Sequence, residues 1–287
     1  MEELSAEEKS VKYYLFAKFM AHLTADQLMD ECVRLGVDGP TALIREGYWT
    51  EENNLGETLP DFVRRAEVHS LEVRYADTSF DPRCPERWER FLPVLRDCGI
   101  RQFRLGYISK ASVAHPRDMA DLGRRCAENA AELAQKYDMQ AIIQLHGDQY
   151  PHNATAAWPM VRALDPRYIG IKLDPGNNRE QEGYERFDYQ IPLLGEYIAA
   201  LGAKDAAQFR TGDPADARKG WKTAFVPAYE GQSEYLQIFS ELDKIGFDGP
   251  AILMPFYDAD DYAALTDKLQ REIAYFKQTH NTAKGRN

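Results

Sequence analysis

Low-complexity tracts, long apolar runs and clustered cysteines are all missing from this 287-residue chain. With 44% hydrophobic and 11% aromatic residues and no biased tract, disorder is excluded as the main state and a substantial core can form. The four cysteines, Cys32, Cys84, Cys98 and Cys126, make neither a CxxC pair nor a Cys/His cluster, so neither a disulfide framework nor a zinc finger is indicated. No run of ~18 apolar residues offers a membrane span, and the acidic start from Met1 to Ser10 has no apolar targeting core. A soluble, cytoplasmic protein is expected. Basic charge is in deficit, with 35 Lys and Arg against 46 Asp and Glu, and the net charge of −11 disfavours nucleic acid and membranes as partners. No linker rich in Gly, Ser or Pro divides the chain, so one domain over 1–287 is expected, with loose termini at 1–10 and 279–287.

What is present is alternation. Short β-branched or aromatic runs are followed repeatedly by helical periodicity, the pattern of a parallel sheet with crossover helices. Eight strands are expected near Tyr14–Phe19, Thr41–Arg45, Ser70–Tyr75, Gln102–Tyr107, Gln140–His146, Ile169–Asp174, Tyr197–Lys204 and Ala251–Pro255. Between them, Thr24 and Gln27 read as a capping box, and Met119, Leu122, Cys126, Ala130, Leu133 and Tyr137 step by three and four along one helix face. Leu35-Gly-Val-Asp-Gly-Pro40 and Ile245-Gly-Phe-Asp-Gly-Pro250 repeat a helix stop and turn before a strand. No GxGxxG follows the first strand, so a parallel eight-stranded (β/α)8 TIM barrel is expected over an open doubly wound sheet. The non-periodic stretch from Asp205 to Glu230 reads as an active-site loop.

In such a barrel the reactive groups lie at the carboxyl ends of the strands. Those ends carry Lys18, Arg45, Arg104, Gln144 and His146, Lys172 and Asp174, and Lys204 and Asp205. Alternation puts Gln144 with His146 on one face, and Lys172 with Asp174 on another. Asp174, turned by Pro175-Gly176, is aimed at the cavity, although an Asp in such a turn also bonds backbone amides. Glu230 is expected to return a carboxylate to the rim. The remaining histidines, His22, His69, His115, His152 and His280, have no ligand-set spacing.

Gly170-Ile-Lys-Leu-Asp-Pro-Gly176, Lys204-Asp205, Val226-Pro227, Glu230-Gly231 and Gly246-Phe-Asp-Gly-Pro250, with Leu15-Phe-Ala-Lys18, Arg45 and Arg104-Leu-Gly-Tyr107, run through nearly the whole chain. Together they resemble the sugar phosphate isomerase/epimerase superfamily of xylose-isomerase-like barrels, which includes type IV apurinic endonucleases. The resemblance implies one divalent metal on carboxylates and a histidine at the ends of strands five to eight. Those positions fall on Gln144, Asp174, Gly202 and Met254, and only the aspartate is retained; a family histidine after the strand-six Asp falls on Asn177, while His146 matches one on strand five. A divalent metal (Mn, Co, Zn or Mg) is therefore disfavoured, its ligands, if any, being Asp174, Gln144 and His146, and Lys172 is expected to replace part of its charge.

Two functions compete. The first is proton transfer next to the carbonyl of a sugar or polyol-derived compound, as in an isomerase, epimerase or lyase, with His146 and Asp174 catalytic and Lys18, Arg45, Arg104, Gln144, Lys172, Asn177, Lys204 and Glu230 binding substrate. The second is a catalytically degenerate barrel that binds a carbohydrate-like ligand in a regulatory role. A homo-oligomer is compatible with either.

Overall fold

The computed structural model describes residues 11–180, 184–212, 215 and 220–285, so the expected loose start at 1–10 lies outside them. Eight parallel strands close on themselves. β1 (Tyr13–Leu15) lies between β2 and β8 (Ala251–Leu253). β2 is made of two pieces, Gly39–Pro40 paired with β1 and Ala42–Leu43 paired with β3 (Tyr75–Phe80), and the ring closes between them. β4 (Gln102–Leu105), β5 (Gln140–Gln144), β6 (Ile169–Leu173) and β7 (Ile198–Ala203) complete the circuit to β8. The fold is the expected TIM barrel.

The helices follow the strands: α1 (Ala25–Leu35), α2 (Leu55–Val68), α3 (Leu92–Asp97), α4 (Met119–Lys136), α5 (Ala154–Val161), the short α6 (Pro175–Glu180), α7 (Phe187–Leu194), α8 (Tyr235–Lys244) and α9 (Tyr262–Lys284). α1 starts as its sequence requires, with the Thr24 hydroxyl accepting from the Gln27 amide and the Gln27 side chain accepting from the Thr24 amide. It stops at Gly36, whose φ of 66° an L side chain rarely adopts. One core lies between helices and sheet, and a second fills the barrel with Tyr14, Leu43, Tyr75, Ile142 and Ile252. Gly39 has to be glycine, because a Cβ there would sit 1.9 Å from the Glu72 carbonyl oxygen.

Three expectations are corrected. The third strand begins at Tyr75, where the expected strand ends; Ser70, with φ of 59°, belongs to the preceding turn, and Leu71 and Val73 bury in an irregular approach. The stretch after β7 is not a bare loop but carries an antiparallel hairpin, Asp205–Arg210 against Trp221–Val226. The C-terminus is not loose from 279: α9 continues to Lys284, burying His280 and Ala283. No helix among the described residues is long and apolar enough to cross a membrane.

α9 also carries a buried carboxyl group into the upper rim. Glu272 accepts from the Ala228 amide at 2.7 Å and from the Tyr257 hydroxyl at 3.2 Å, tying two rim loops to the helix. Burial pushes its pKa up to about 8. The folded state then holds a proton that the unfolded chain releases near the ordinary value of 4.5, so this group's contribution falls as pH rises from about 4.5 to about 8 and levels off above. Across that interval each step of one pH costs the fold about 1.4 kcal/mol. We expect Glu272→Gln to flatten the slope, gaining on wild type by on the order of 4 kcal/mol between pH 5 and pH 9. Urea titrations at the two pH values measure it, and parallel slopes for both proteins would show that Glu272 is ionised in the fold.

Candidate active site

Strand alternation and register build the site in layers. The inward positions of β3, β4, β5 and β6 carry Asp77, Arg104, Gln144 and Lys172 at their upper ends, with Asp77 opposite Arg104 and Gln144 opposite Lys172. Above them opens a cavity of about 210 Å³. Its polar wall is Lys18, Arg45, Asp77, Arg104, Gln144, His146, Asn177 and Lys204, and Phe16, Tyr107, Phe225, Met254 and Phe256 supply apolar faces. Seven of the residues expected at the site thus line one cavity.

Asp174 is placed differently from expectation. It is 1% exposed and does not line the cavity; residues that do line it are bonded to its carboxylate. Gln144 Nε2 donates to Oδ2 at 2.6 Å, Asn177 Nδ2 donates to the same oxygen at 2.9 Å, and the Asn177 amide donates to Oδ1 at 2.9 Å. Lys204 Nζ stands 3.4 Å from Oδ2 and donates to Asn177 Oδ1 at 2.7 Å. The ion-pair partner of Asp174 is therefore Lys204, which the sequence offered only as an addition to Lys172. Burial lowers the Lys204 pKa, while Asp174 acts to hold its proton. Its ammonium also lies over the Phe225 and Phe256 rings, at 4.5 and 4.8 Å from their centroids.

Lys172 belongs to a second set. It is fully buried, outside the cavity wall, with Nζ 3.8 Å from Asp77 Oδ1 and over the Tyr75 ring at 5.4 Å. Burial pushes its pKa down to about 8 against the opposing pull of Asp77. Arg104 approaches the same carboxylate, with Nε at 3.4 Å, and is fixed by donating to the Leu105 and Thr78 carbonyls at 2.9 and 2.5 Å. Asp77 escapes the sequence reading because the third strand is expected five residues too early. Tyr75-Ala-Asp-Thr-Ser-Phe80, an apolar and β-branched run with one acid in alternation with Tyr75, is the signal that marks it. Although two cations stand near, both Asp77 oxygens are buried without a hydrogen-bond donor.

His146 lies in the cavity wall as expected. Its ring packs on Tyr107 with centroids 4.7 Å apart, and Nδ1 is buried without a partner. Burial lowers its pKa from the ordinary 6.5, Asp174 raises it and Lys204 lowers it further, so the neutral imidazole is favoured. Glu230 is a correction: it is exposed and outside the cavity wall. The buried acid of that region is Asp205, which accepts from the Ser233 amide and hydroxyl at 2.8 and 2.7 Å and leaves no room for a side chain at Gly231.

These residues do not suit a divalent cation. Both Asp174 oxygens already accept hydrogen bonds, an ammonium stands where further positive charge would go, Gly202 has no side chain, and Met254 offers only a thioether. Among the described residues no three His, Cys, Asp or Glu side chains gather in a metal-holding group.

The family model for the xylose isomerase-like TIM barrel matches residues 30–279. The chain belongs to that family. Solved structures agree on the fold. A xylose isomerase-like TIM barrel protein from Mycobacterium smegmatis, in complex with magnesium, superposes with a TM-score of 0.69 at 14% identity, covering 94% of this chain and 97% of that one. A D-psicose 3-epimerase, in the presence of D-fructose, gives 0.70 at 14% identity over 94% and 99%. A probable 3-DHS dehydratase involved in petrobactin synthesis from Bacillus anthracis gives 0.68 at 18% identity over 93% and 99%. No curated protein matches the chain.

Within this xylose isomerase-like barrel, Asp174 holds the upper layer together. Asp174→Asn leaves Lys204 charged and buried without its carboxylate, and we expect a loss of about 3 kcal/mol in urea denaturation. Unchanged stability would mean that the Asp174 network contributes nothing to the fold.

Proposed function

We propose that this barrel is an enzyme acting on a sugar or polyol-derived carbonyl compound, moving a proton beside the carbonyl without a divalent metal. The observation that carries the reading is His146: a neutral imidazole in the wall of a small cavity, next to cations that can take up negative charge. A neutral imidazole accepts the proton from the carbon beside the carbonyl. The electrons of that C–H bond become a carbon–carbon double bond, and the carbonyl oxygen gains the negative charge. Lys204 and Arg104, held by Asn177 and by backbone carbonyls, face that charge with little reorganisation. Return of the proton by His146 to the adjacent carbon, as the neighbouring hydroxyl passes its own proton to the enolate oxygen, completes an isomerisation; an epimerisation takes its proton from solvent on the face away from His146, which keeps the one it removed until it exchanges with water. Asp174 positions Gln144, Asn177 and Lys204 and does not touch the ligand. Neighbours named as D-psicose 3-epimerase and L-ribulose 3-epimerase support this class of reaction.

The test is deuterium incorporation from solvent into a panel of keto-sugars and keto-acids, followed by proton NMR. His146→Gln should slow exchange by about 10²- to 10⁴-fold with the melting temperature retained. In wild type, kcat/KM should rise with pH through a midpoint below 6.5 as the ring becomes neutral, and fall again at alkaline pH as Lys204 loses its proton below the ordinary lysine value. Exchange at the wild-type rate in His146→Gln would remove His146 from the chemistry. Chelator-treated protein should keep its rate, unchanged by added Mg²⁺, Mn²⁺, Co²⁺ or Zn²⁺; a rate abolished by chelation and restored by one of these ions would refute the metal-free reading.

The second reading, a barrel that binds without turnover, is favoured by the saturated state of Asp174, whose oxygens are taken by internal donors. Thermal shifts by ligands that undergo no exchange would establish it.

A further inference from the structure

We propose that the compound held in this cavity is a sugar acid, with its carboxylate bound at the rim by Arg45 and Lys18 and its hydroxyls received below by Asp77. This deepens the preceding reading by naming the ligand class, and it depends on the cavity being the ligand site, not on the chemistry assigned to His146.

The charges of the cavity do not balance. Among the described residues four cations line it, Lys18, Arg45, Arg104 and Lys204, against one lining carboxylate, Asp77. Lys204 is met by Asp174 at 3.4 Å and Arg104 by Asp77 at 3.4 Å. Lys18 and Arg45 have no carboxylate within 4.0 Å among the described residues. Arg45 Nε is moreover a buried atom without an acceptor, and Lys18 Nζ rests over the Phe256 ring at 5.7 Å. Acids do lie close by: Glu46, Glu51 and Glu52 share an adjoining outer groove with Arg45, yet Glu51 is turned onto the Gly47 amide at 2.9 Å. In a chain of net charge −11, two half-buried cations left without acids at the mouth of a pocket are costly unless an anion joins them.

Two features favour a carboxylate over a phosphate. No glycine among the described residues lines the cavity, so they form no backbone amide cradle of the kind that commonly takes up a phosphate. A guanidinium fork and an ammonium in the same cavity wall can meet the two coplanar oxygens of a carboxylate. Asp77, on the strand paired with the residues just before Arg45, also lines the cavity, and its two buried oxygens have no donor, a lack that a polyol hydroxyl can meet. A carboxylate for the cations and hydroxyls for Asp77 describe a sugar acid.

Isothermal titration of the full chain tests this with 2-keto-D-gluconate and D-glucuronate, the neutral sugars D-fructose and D-glucose, and the 6-phosphates of both. The two acids should bind roughly tenfold or more tightly than the neutral sugars, with affinity falling as NaCl is raised. Arg45→Gln and Lys18→Gln should each weaken the acids by roughly tenfold while leaving the neutral sugars unchanged, and Arg45→Lys should recover part of the loss. Melting curves without ligand verify that the variants fold. Failure of both acids to bind, equal affinity for acids and neutral sugars, or equal weakening of both by the variants would overturn the proposal. Tighter binding of the 6-phosphates would overturn the carboxylate assignment. The two readings separate cleanly: acids bound without deuterium exchange sink the enzyme, whereas exchange on neutral ketoses and none on the acids sinks the sugar-acid assignment alone.

Discussion

Five ionisable side chains share the upper layers of the barrel, and none could be withdrawn from water alone. Asp77 stands with Arg104 and Lys172, and Asp174 stands with Lys204. Isolated, each would cost several kcal/mol in a dry wall. Together they form two linked sets in which each charge faces an opposite one, and the remaining lone pairs of Asp174 are used by Gln144 and Asn177. The geometry of the cavity follows from this requirement. Lys204 points where it does because Asn177 and Asp174 hold it, and Arg104 is fixed by two carbonyls as well as by its carboxylate.

The same requirement explains what the site can do. The carboxylate that survives from the family pattern is committed to internal donors, so it organises its neighbours instead of meeting a ligand. His146, to which the proposed reaction assigns the proton transfer, lies outside both sets and has its pKa lowered mainly by burial. Asp77 is the opposite case, a carboxylate near two cations that lines the cavity while both its oxygens are buried without a donor. Among the described residues, positive charge around the cavity is carried by the side chains of Lys18, Arg45, Arg104 and Lys204.

Much of this is legible in the chain and some is not. Arg104, Gln144, His146 and Lys204 can be picked out because each is a polar interruption at the end of an apolar strand, and strand ends converge in a closed barrel. Asp77 escapes because Leu71 and Val73 mimic a strand while burying in an irregular segment. Glu230 misleads because a motif shared with relatives does not say which way a loop side chain turns; here the pocket-facing wall after β7 is supplied by Phe225 of the hairpin. The helix at the C-terminus is underestimated because its polar surface hides the burial of His280 and Ala283.

The order of strands and helices, the single barrel and the identity of most cavity residues were determined by the sequence itself, because hydrophobic periodicity and turn residues act over a few positions and can be read locally. Which cation faces which carboxylate was decided only in three dimensions. Lys172 and Asp174 are two residues apart on one strand face, yet the ion pairs run between strands: Lys172 to Asp77 on β3, and Asp174 to Lys204 at the end of β7. The barrel's register and inter-strand spacing set those distances, and neither quantity is written in any one segment of the chain.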